Sequence, residues 1–495
     1  MLTAAVFFLL LLAFLSDAHA FFWSTKKDEA VNVGTEFIAA RGVACEGADC
    51  PSLSIQIFDN GEWENGQSVE LTAGDCATKA NIGTIVCPRT GHDDDCTLYS
   101  AWGTVVSSCA ELRPADLVYV VPRGRLFMWP SHDVGHRAEI KHVPMPDGRA
   151  IVLETLSQRP RVFRLQNFFT EAEAEGLIEH ALSIQDDSHR LKRSSTGATG
   201  YTVDSKRTSE GAFDTNSEIA LAIKRRSFDV LGIRPYDESF SDGIQVLRYN
   251  QTTAYIAHMD WIEPTKLNND HNWESAGEGT NRYATILLYL SGVEDGGETV
   301  FTQAKPIGEG ARVIPKKQAE EETTSYLDSK NITELFPTGT WQRNMIVECR
   351  SRMAIKPVKA EAVLFYSQFP DGRVDRLSVH GGCPVLIGQK WAANLWVWNG
   401  PRNGYPQRGS GAVKSEKPTS VSAAFTSEVS TPHRLFWEDT DWGALQPGAD
   451  IRVNTFAGHK WNIRLNGEKV LTWVIAQGET SQRFVFRTED LKASG

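Results

Sequence analysis

His258-Met259-Asp260 is the stretch of this 495-residue chain whose residue types and spacing point most directly to chemistry. On a β-strand, residues i and i+2 face the same way, so an imidazole and a carboxylate at this spacing can reach one metal ion. Alone the tripeptide is weak evidence, because His92-Asp93-Asp94 repeats it beside a third aspartate and reads as a solvated loop. His380, in Ser378-Val379-His380-Gly381-Gly382-Cys383-Pro384, supplies what is missing. Two histidines and one carboxylate, with positions left open, are the donor set of non-haem iron(II) centres. Ten residues further on, Lys390 offers an ammonium that would suit the far carboxylate of a dicarboxylate, through a charge-assisted hydrogen bond.

Elements of two kinds must hold these residues. Thr170 and Glu173 form a capping box, followed by Ala174, Leu177, Ile178, Ala181 and Leu182 on one helical face. Thr215 with Glu218 predicts a second helix, with Ile219, Ala222, Ile223 and Phe228 inward. Strand-like runs follow at Ile244–Tyr249, Tyr283–Leu290, Thr299–Phe301, Ala362–Tyr366 and Ala393–Trp398. Helices first and short strands after them predict an α+β fold, its strands in a jelly-roll or barrel.

The rest of the chain sets boundaries and a compartment. Residues 1–20 read as a signal peptide: an apolar run over Leu2–Leu15, then Ala18-His19-Ala20. That run of about 14 residues is short of the ~18 needed to span a bilayer, so stable membrane insertion after cleavage is not expected. An uncleaved anchor is the alternative. Six of the eight cysteines (Cys45, Cys50, Cys76, Cys87, Cys96, Cys109) fall within residues 21–115, which predicts a disulfide-stapled β module. Zinc is disfavoured, since no tight C-x2-C pair stands near another. The sequons Asn250-Gln251-Thr252 and Asn331-Ile332-Thr333 suit the endoplasmic reticulum lumen or another secretory compartment. A larger domain is expected over 116–400, a Ser/Thr/Gly/Pro-rich linker over 401–432, and a small β-sandwich over 433–495. The net charge of −11 and the lack of a long basic run argue against a nucleic-acid partner.

Leu247-Arg248-Tyr249, Tyr255-x-x-His258-x-Asp260, Arg282-Tyr283-Ala284-Thr285, Gly296-Gly297-Glu298-Thr299-Val300-Phe301 and His380 through Lys390-Trp391 together resemble the catalytic domain of the prolyl 4-hydroxylases. Arg161-Val162-Phe163 and Arg207-Thr208-Ser209 are similar to that family too, and the ordered blocks cover roughly residues 160–400. The resemblance implies a double-stranded β-helix in which His258, Asp260 and His380 hold Fe(II) and Lys390 meets the C5 carboxylate of 2-oxoglutarate. Tyr255 and Thr285 would add hydroxyls nearby, and Trp396 would line the pocket. It further implies ascorbate as reductant, and 4-hydroxylation of peptidyl proline in proline-rich or collagen-like secreted proteins. The alternatives are a 2-oxoglutarate dioxygenase acting on another residue or a small molecule, and an inactive secreted binding protein. Tyr255 would need a bend in its strand to reach the side of His258. Cys349 and Cys383, the two cysteines outside the N-terminal module, are expected to pair, as relatives place cysteines similarly around the strand leading to the iron histidine. Two departures from the family stand out: a charged insertion around Lys316–Lys330, read as a surface segment or a lid, and Lys359-Ala360-Glu361 where relatives carry a glycine turn.

Leu435-Phe436-Trp437, Leu445-x-Pro447-Gly448 and Asn454-Thr455-Phe456-Ala457-Gly458-His459-Lys460-Trp461 resemble the β domain of the von Hippel–Lindau tumour suppressor. That likeness implies a hydroxyproline pocket at Thr455, His459 and Trp461, with the indole against the pyrrolidine ring. The bland alternative is a sandwich whose Trp461 is core and whose His459 is exposed.

Overall fold

Central strands buried on both faces and a few strong caps account for most of the architecture. The computed structural model describes residues 52–492 apart from 78–80, 93–95, 195–205, 264–279, 307–312, 403–419, 438–439, 457–458, 466–467 and 477–480. The expected signal segment, Cys45, Cys50 and most of the linker lie outside the described residues. The chain divides into a unit ending at Tyr405 and another beginning at Pro406.

The first unit opens on a five-stranded sheet ordered β2-β1-β5-β3-β4, formed by β1 (Leu53–Asp59), β2 (Gln67–Leu71), β3 (Thr97–Ser100), β4 (Val105–Val106) and β5 (Leu117–Val121). β1 and β5 run parallel. Between β2 and β3 stand two helices, Ala73–Ala77 and Gly83–Arg89, where an all-β module was expected. In the second, the Asn81 side chain accepts from the Gly83 amide, and Ile82 and Val86 turn into the core, one helical turn apart. Cys76–Cys109 and Cys87–Cys96 bridge these helices to the segments that follow. Pro88 inside the second helix broke the periodicity that would have announced it.

The remainder of this unit is strand-rich α+β. Its strands are β6 (Arg137–Ile140), β7 (Ile151–Ser157), β8 (Val162–Gln166), β9 (Lys192–Arg193), β10 (Glu210–Asp214), β11 (Ile244–Tyr249), β12 (Tyr255–His258), β13 (Arg282–Tyr289), β14 (Asp295–Gly296), β15 (Thr299–Phe301), β16 (Met353–Ile355), β17 (Ala362–Tyr366), β18 (His380–Gly382), β19 (Val385–Ile387) and β20 (Lys390–Trp398). A nine-stranded sheet runs β6-β7-β8-β17-β13-β20-β11-β10-β9, and a four-stranded sheet runs β12-β18-β15-β16. One face of the large sheet packs on the helices Glu171–Ser183 and Glu218–Val230 through Phe163, Leu177, Ile223, Phe228 and Ile286. Its other face meets the small sheet through Tyr289, Phe365, Phe301 and Met353. The capping box at Thr170 and Glu173 is present, although Leu182 is 52% exposed and so does not belong to the buried face. The second helix is capped by Ser217, not Thr215; its buried stripe centres on Ala220, Ile223 and Ser227, which leaves Ala222 on the solvent side.

The charged insertion is a packed helical hairpin and no open lid. Helix Lys316–Ser329 buries Ala319, Thr323 and Leu327, and helix Trp341–Ser351 is bonded to the end of β18 by the expected Cys349–Cys383 disulfide. No helix among the described residues is long and apolar enough to cross a membrane. The second unit holds two sheets, β24-β21-β27 and β23-β22-β25-β26, built from β21 (Ser420–Ser427), β22 (His433–Trp437), β23 (Thr440–Leu445), β24 (Asp450–Phe456), β25 (Lys460–Leu465), β26 (Glu468–Val474) and β27 (Ser481–Phe486). Phe425, Leu435, Trp461 and Phe486 fill the space between them.

Ala360 occupies the turn before β17 with φ of +65°, a conformation that costs an L-residue roughly 1 kcal/mol. Ala360→Gly is therefore expected to stabilise the protein by about 1 kcal/mol. Thermal or urea unfolding of the two proteins checks this, and equal midpoints would contradict it.

Candidate metal centre

His258 ends β12 and His380 begins β18, and the two are direct cross-strand partners in an antiparallel pair. Their side chains therefore stand on the same face, with ring centroids 4.6 Å apart. Asp260 follows two residues beyond His258. Its carboxylate lies 3.7 Å from His258 Nε2 and 3.6 Å from His380 Nε2, and donor atoms of all three fall within 4.8 Å of one another. Among the described residues this is the one such cluster.

The donor chemistry fits a cation. Each imidazole places Nδ1 against a backbone carbonyl two residues earlier, at 2.9 Å to Ile256 O and 3.0 Å to Ser378 O. A carbonyl only accepts, so Nδ1 carries the proton and Nε2 is left bare toward the carboxylate. Burial, with His380 and Arg207 in support, pushes the His258 pKa well below its usual value, which keeps the ring neutral. Burial opposes the charge on Asp260, but the two imidazoles, Arg282 and the Thr285 hydroxyl outweigh it and hold the carboxyl ionised. Two ring nitrogens and one anionic oxygen converge in a donor set that suits a cation.

The surroundings hold this arrangement in place. β12 carries a register shift between Tyr255 and His258, the bend that Tyr255 required, and the Tyr255 ring stacks on His258 with centroids 3.8 Å apart. Phe365 and Phe301 flank His380 at 4.5 and 5.8 Å. A side chain at Gly381 would begin 2.8 Å from Met345 Cε and 3.0 Å from Tyr255 O, so only glycine lets β18 lie this close to β12 and the insertion helix.

Thr285 differs from expectation. Its hydroxyl donates to Asp260 Oδ2 at 2.6 Å, so it is engaged with the carboxylate and is not a free hydroxyl for a cosubstrate. Trp396 sits opposite Thr285 in the β13–β20 pair and is 6% exposed, with the Arg282 guanidinium 3.8 Å over its ring. Arg207 lies 4.7 Å over the Tyr255 ring and donates to Gln245 Oε1 at 2.7 Å. The motif blocks containing Arg207 and Arg282 were visible in sequence; their roles against Tyr255 and Trp396 were not, since a motif does not reveal which ring a guanidinium covers.

Lys390 opens β20 on the inner side of the large sheet and is 3% exposed. Its Nζ donates to Gly297 O at 2.7 Å and lies 5.4 and 5.3 Å from the Tyr249 and Tyr289 ring centroids. The carbonyl is aimed there by Gly296 and Gly297, both with positive φ. Burial lowers the Lys390 pKa to about 8 against the pull of Glu298. His92, the rival H-x-D histidine, bonds Asp59 at 2.9 Å at the surface, away from this cluster.

Residues 244–398 match the 2OG-Fe(II) oxygenase superfamily. The chain is 32% identical to a probable prolyl 4-hydroxylase 8 of Arabidopsis thaliana over 247 residues, which are 49% of this chain and 70% of the relative. It is 33% identical to a probable prolyl 4-hydroxylase 4 of the same plant over 252 residues, 50% of this chain and 70% of that one. The chain belongs to the prolyl 4-hydroxylase family. It is accordingly an Fe(II)- and 2-oxoglutarate-dependent dioxygenase, of a family that typically uses ascorbate. The solved structure of a viral collagen prolyl hydroxylase from Paramecium Bursaria Chlorella virus-1, with bound 2-oxoglutarate, aligns at 19% identity and a TM-score of 0.30 over 48% of this chain and 95% of that one.

The Thr285 hydrogen bond gives a direct test. Thr285→Val keeps the shape and removes the hydroxyl, and should weaken Fe(II) binding roughly 10- to 100-fold. Titration of the metal-free protein with Fe(II) under anaerobic conditions measures it; unchanged affinity would remove Thr285 from the centre.

Proposed function

We propose that the enzyme 4-hydroxylates peptidyl proline in proline-rich secreted polypeptides, with His258, Asp260 and His380 as iron ligands in a double-stranded β-helix and Lys390 as the anchor for 2-oxoglutarate. The observation that carries the reading is the pairing of a converged His-Asp-His donor set with a buried lysine on the large sheet that packs against the histidines' sheet. Lys390 gives one of its three N–H bonds to Gly297, and the others suit a carboxylate better than any neutral group. The bound iron supplies the redox chemistry, which couples decarboxylation of 2-oxoglutarate to succinate with hydroxylation at C4. The protein's part is to hold Nε2 of both imidazoles toward the metal position through the Nδ1 bonds to Ile256 O and Ser378 O, to keep Asp260 ionised through the two imidazoles, Arg282 and Thr285, and to exclude water with Phe301, Phe365 and Tyr255. Three disulfides among the described residues support a secretory route, because such bonds persist in oxidising compartments.

Succinate release and proline oxidation, measured with and without a proline-rich peptide, test the reading. His380→Ala should abolish both; near-normal turnover would sink the ligand assignment. Lys390→Ala should retain iron but raise the KM for 2-oxoglutarate steeply. In the wild type the ammonium is charged below a pKa of about 8 and lost above it. That KM should be flat well below pH 8 and climb about ten-fold per unit above it. Folding stability should shift the other way: the unfolded lysine keeps a proton that the folded one releases, so stability rises between about 8 and 10.5. A pH-independent KM would remove Lys390 from the cosubstrate site.

For the second unit we propose that it holds the hydroxylated product. Thr455 and His459 are hydrogen-bonded to each other at 2.9 Å, as the likeness requires of neighbours around one hydroxyl. Trp461, however, is core: it is 2% exposed and its Nε1 donates to Thr455 Oγ1 at 3.2 Å. The ring available to a pyrrolidine is Trp437, 5.1 Å from His459; its buried Nε1 has no partner among the described residues. A site built to bond a hydroxyl rejects the analogue lacking it. Calorimetry on the full chain with proline and 4-hydroxyproline peptides of one sequence should show a preference for the latter that His459→Ala removes. Equal binding of the two would leave this unit a structural sandwich.

A further inference from the structure

We propose that Tyr326, on the first helix of the charged insertion, is a positioning residue for 2-oxoglutarate: through Asp295 it fixes the Gly296–Gly297 turn whose carbonyl aims the Lys390 ammonium. This rests on the reading of Lys390 as the cosubstrate anchor and names what holds that anchor in direction.

The turn has little of its own to hold it. Gly296 and Gly297 have φ of +75° and +69° and carry no side chain. A Cβ on Gly296 would lie 2.4 Å from Pro384 O and 2.7 Å from Leu386 N, so the turn must be bare to press against β19. The Gly297 amide donates to Pro384 O at 3.0 Å, and its carbonyl accepts from Lys390 Nζ at 2.7 Å. β14 pairs with β19 through Asp295–Ile387 and Gly296–Val385, with a register shift between them. So short and irregular a ladder leaves the direction of the turn to its neighbours. The first side chain upstream of the glycines is Asp295, which is partly buried.

Tyr326 supplies the hold from outside the sheet. Its hydroxyl lies 2.8 and 2.7 Å from the two Asp295 carboxylate oxygens, a charge-assisted donation that fixes where the carboxylate points. Burial and the same carboxylate push the phenol up to about 12, so it remains a donor at any lower pH. The ring is fixed in turn. The Arg350 guanidinium lies 4.2 Å over it, and the Lys330 ammonium comes within 4.0 Å of Asp295. Beside it, Leu327, Ile332, Phe336 and Ile346 pack on Leu386 of β19. The insertion therefore grips both members of the β14–β19 pair, Asp295 by a hydrogen bond and Leu386 by packing.

The insertion meets the site by two routes, and this separates positioning from mere support. Its second helix reaches the metal side, where Met345 closes on Gly381 and Cys349 is bonded to Cys383. Its first helix reaches the lysine side through Tyr326. General loosening of the insertion would disturb His380 as well as Lys390, whereas loss of one hydroxyl would reach Lys390 alone. The effect on Lys390 is sensitive to small shifts, because charge-assisted hydrogen bonds are short and directional.

Tyr326→Phe keeps the ring and its stacked arginine and removes the hydroxyl. On the full holoenzyme it should raise the KM for 2-oxoglutarate about five-fold, while kcat at saturating 2-oxoglutarate and the affinity for Fe(II) hold. Calorimetric titration of the anaerobic Fe(II) protein with 2-oxoglutarate reads the same loss without turnover. Asp295→Ala should match Tyr326→Phe, and the two together should be no worse than either alone, since they remove one interaction. Asp295→Asn, which keeps an acceptor for the hydroxyl, should lose less than Asp295→Ala. Unchanged 2-oxoglutarate binding in Tyr326→Phe would overturn the proposal, as would a parallel fall in Fe(II) affinity, which would make the tyrosine a general support. Lys390→Ala with unaltered 2-oxoglutarate binding sinks the anchor reading and this proposal with it. Weakened binding in Lys390→Ala beside unaltered binding in Tyr326→Phe sinks the positioning role alone.

Discussion

Two imidazoles and a carboxylate must be brought together inside a protein, and much of the first unit can be understood as the means of doing so. Burying a carboxylate costs several kcal/mol unless partners replace its water. Here the partners are a threonine hydroxyl, a nearby guanidinium and two ring nitrogens whose protons point the other way. Cross-strand pairing of His258 with His380 sets their separation, and the irregularity in β12 turns Tyr255 to cover one of them. The Cys349–Cys383 bridge ties the insertion helix to the residue after Gly382, so the strand bearing His380 is held from both sides. Each device is local, and all converge on the placement of three donor atoms.

The lysine at the other end of the site is solved by a different route. The triad is stabilised by neutral tautomers, whereas Lys390 is a cation kept between two tyrosine rings with one carbonyl as its bonded partner. Burial weakens its hold on the proton, and Glu298 restores part of it. A buried cation only partly satisfied by the protein favours an anion, while the bare Nε2 atoms favour a metal. One fold therefore offers opposite electrostatic preferences at two places, one on each of two packed sheets. A dicarboxylate that also binds iron meets both.

What could be read from sequence followed from how local each feature is. Ile244–Tyr249, Thr299–Phe301 and Ala362–Tyr366 have the observed strand bounds, because buried strands declare themselves by β-branched and aromatic runs between turn residues. The capping box at Thr170 was equally legible, since its two residues bond each other. Thr285 was not, for strand parity gives the face a hydroxyl occupies and leaves open which acceptor it meets there. The two helices of the N-terminal sheet were missed because disulfides and a neighbouring sheet hold segments too short to be helical alone. Trp461 was left open between pocket and core for a related reason: an aromatic in a β-sandwich motif looks the same in sequence whether it lines a pocket or fills the core, and here it fills the core.

A polymeric substrate changes what each site must achieve. An enzyme that met one proline at a time would need its whole affinity at the iron, and tight product binding there would slow release. If the chain is instead held by weak contacts spaced along it, each contact can exchange rapidly while the polymer stays bound. A hydroxyproline-selective sandwich on the same polypeptide would add direction, because its affinity for the chain grows as the product accumulates. Under that arrangement the catalytic site can remain indifferent to most of the polymer, and its buried polar groups are free to serve the metal and the cosubstrate.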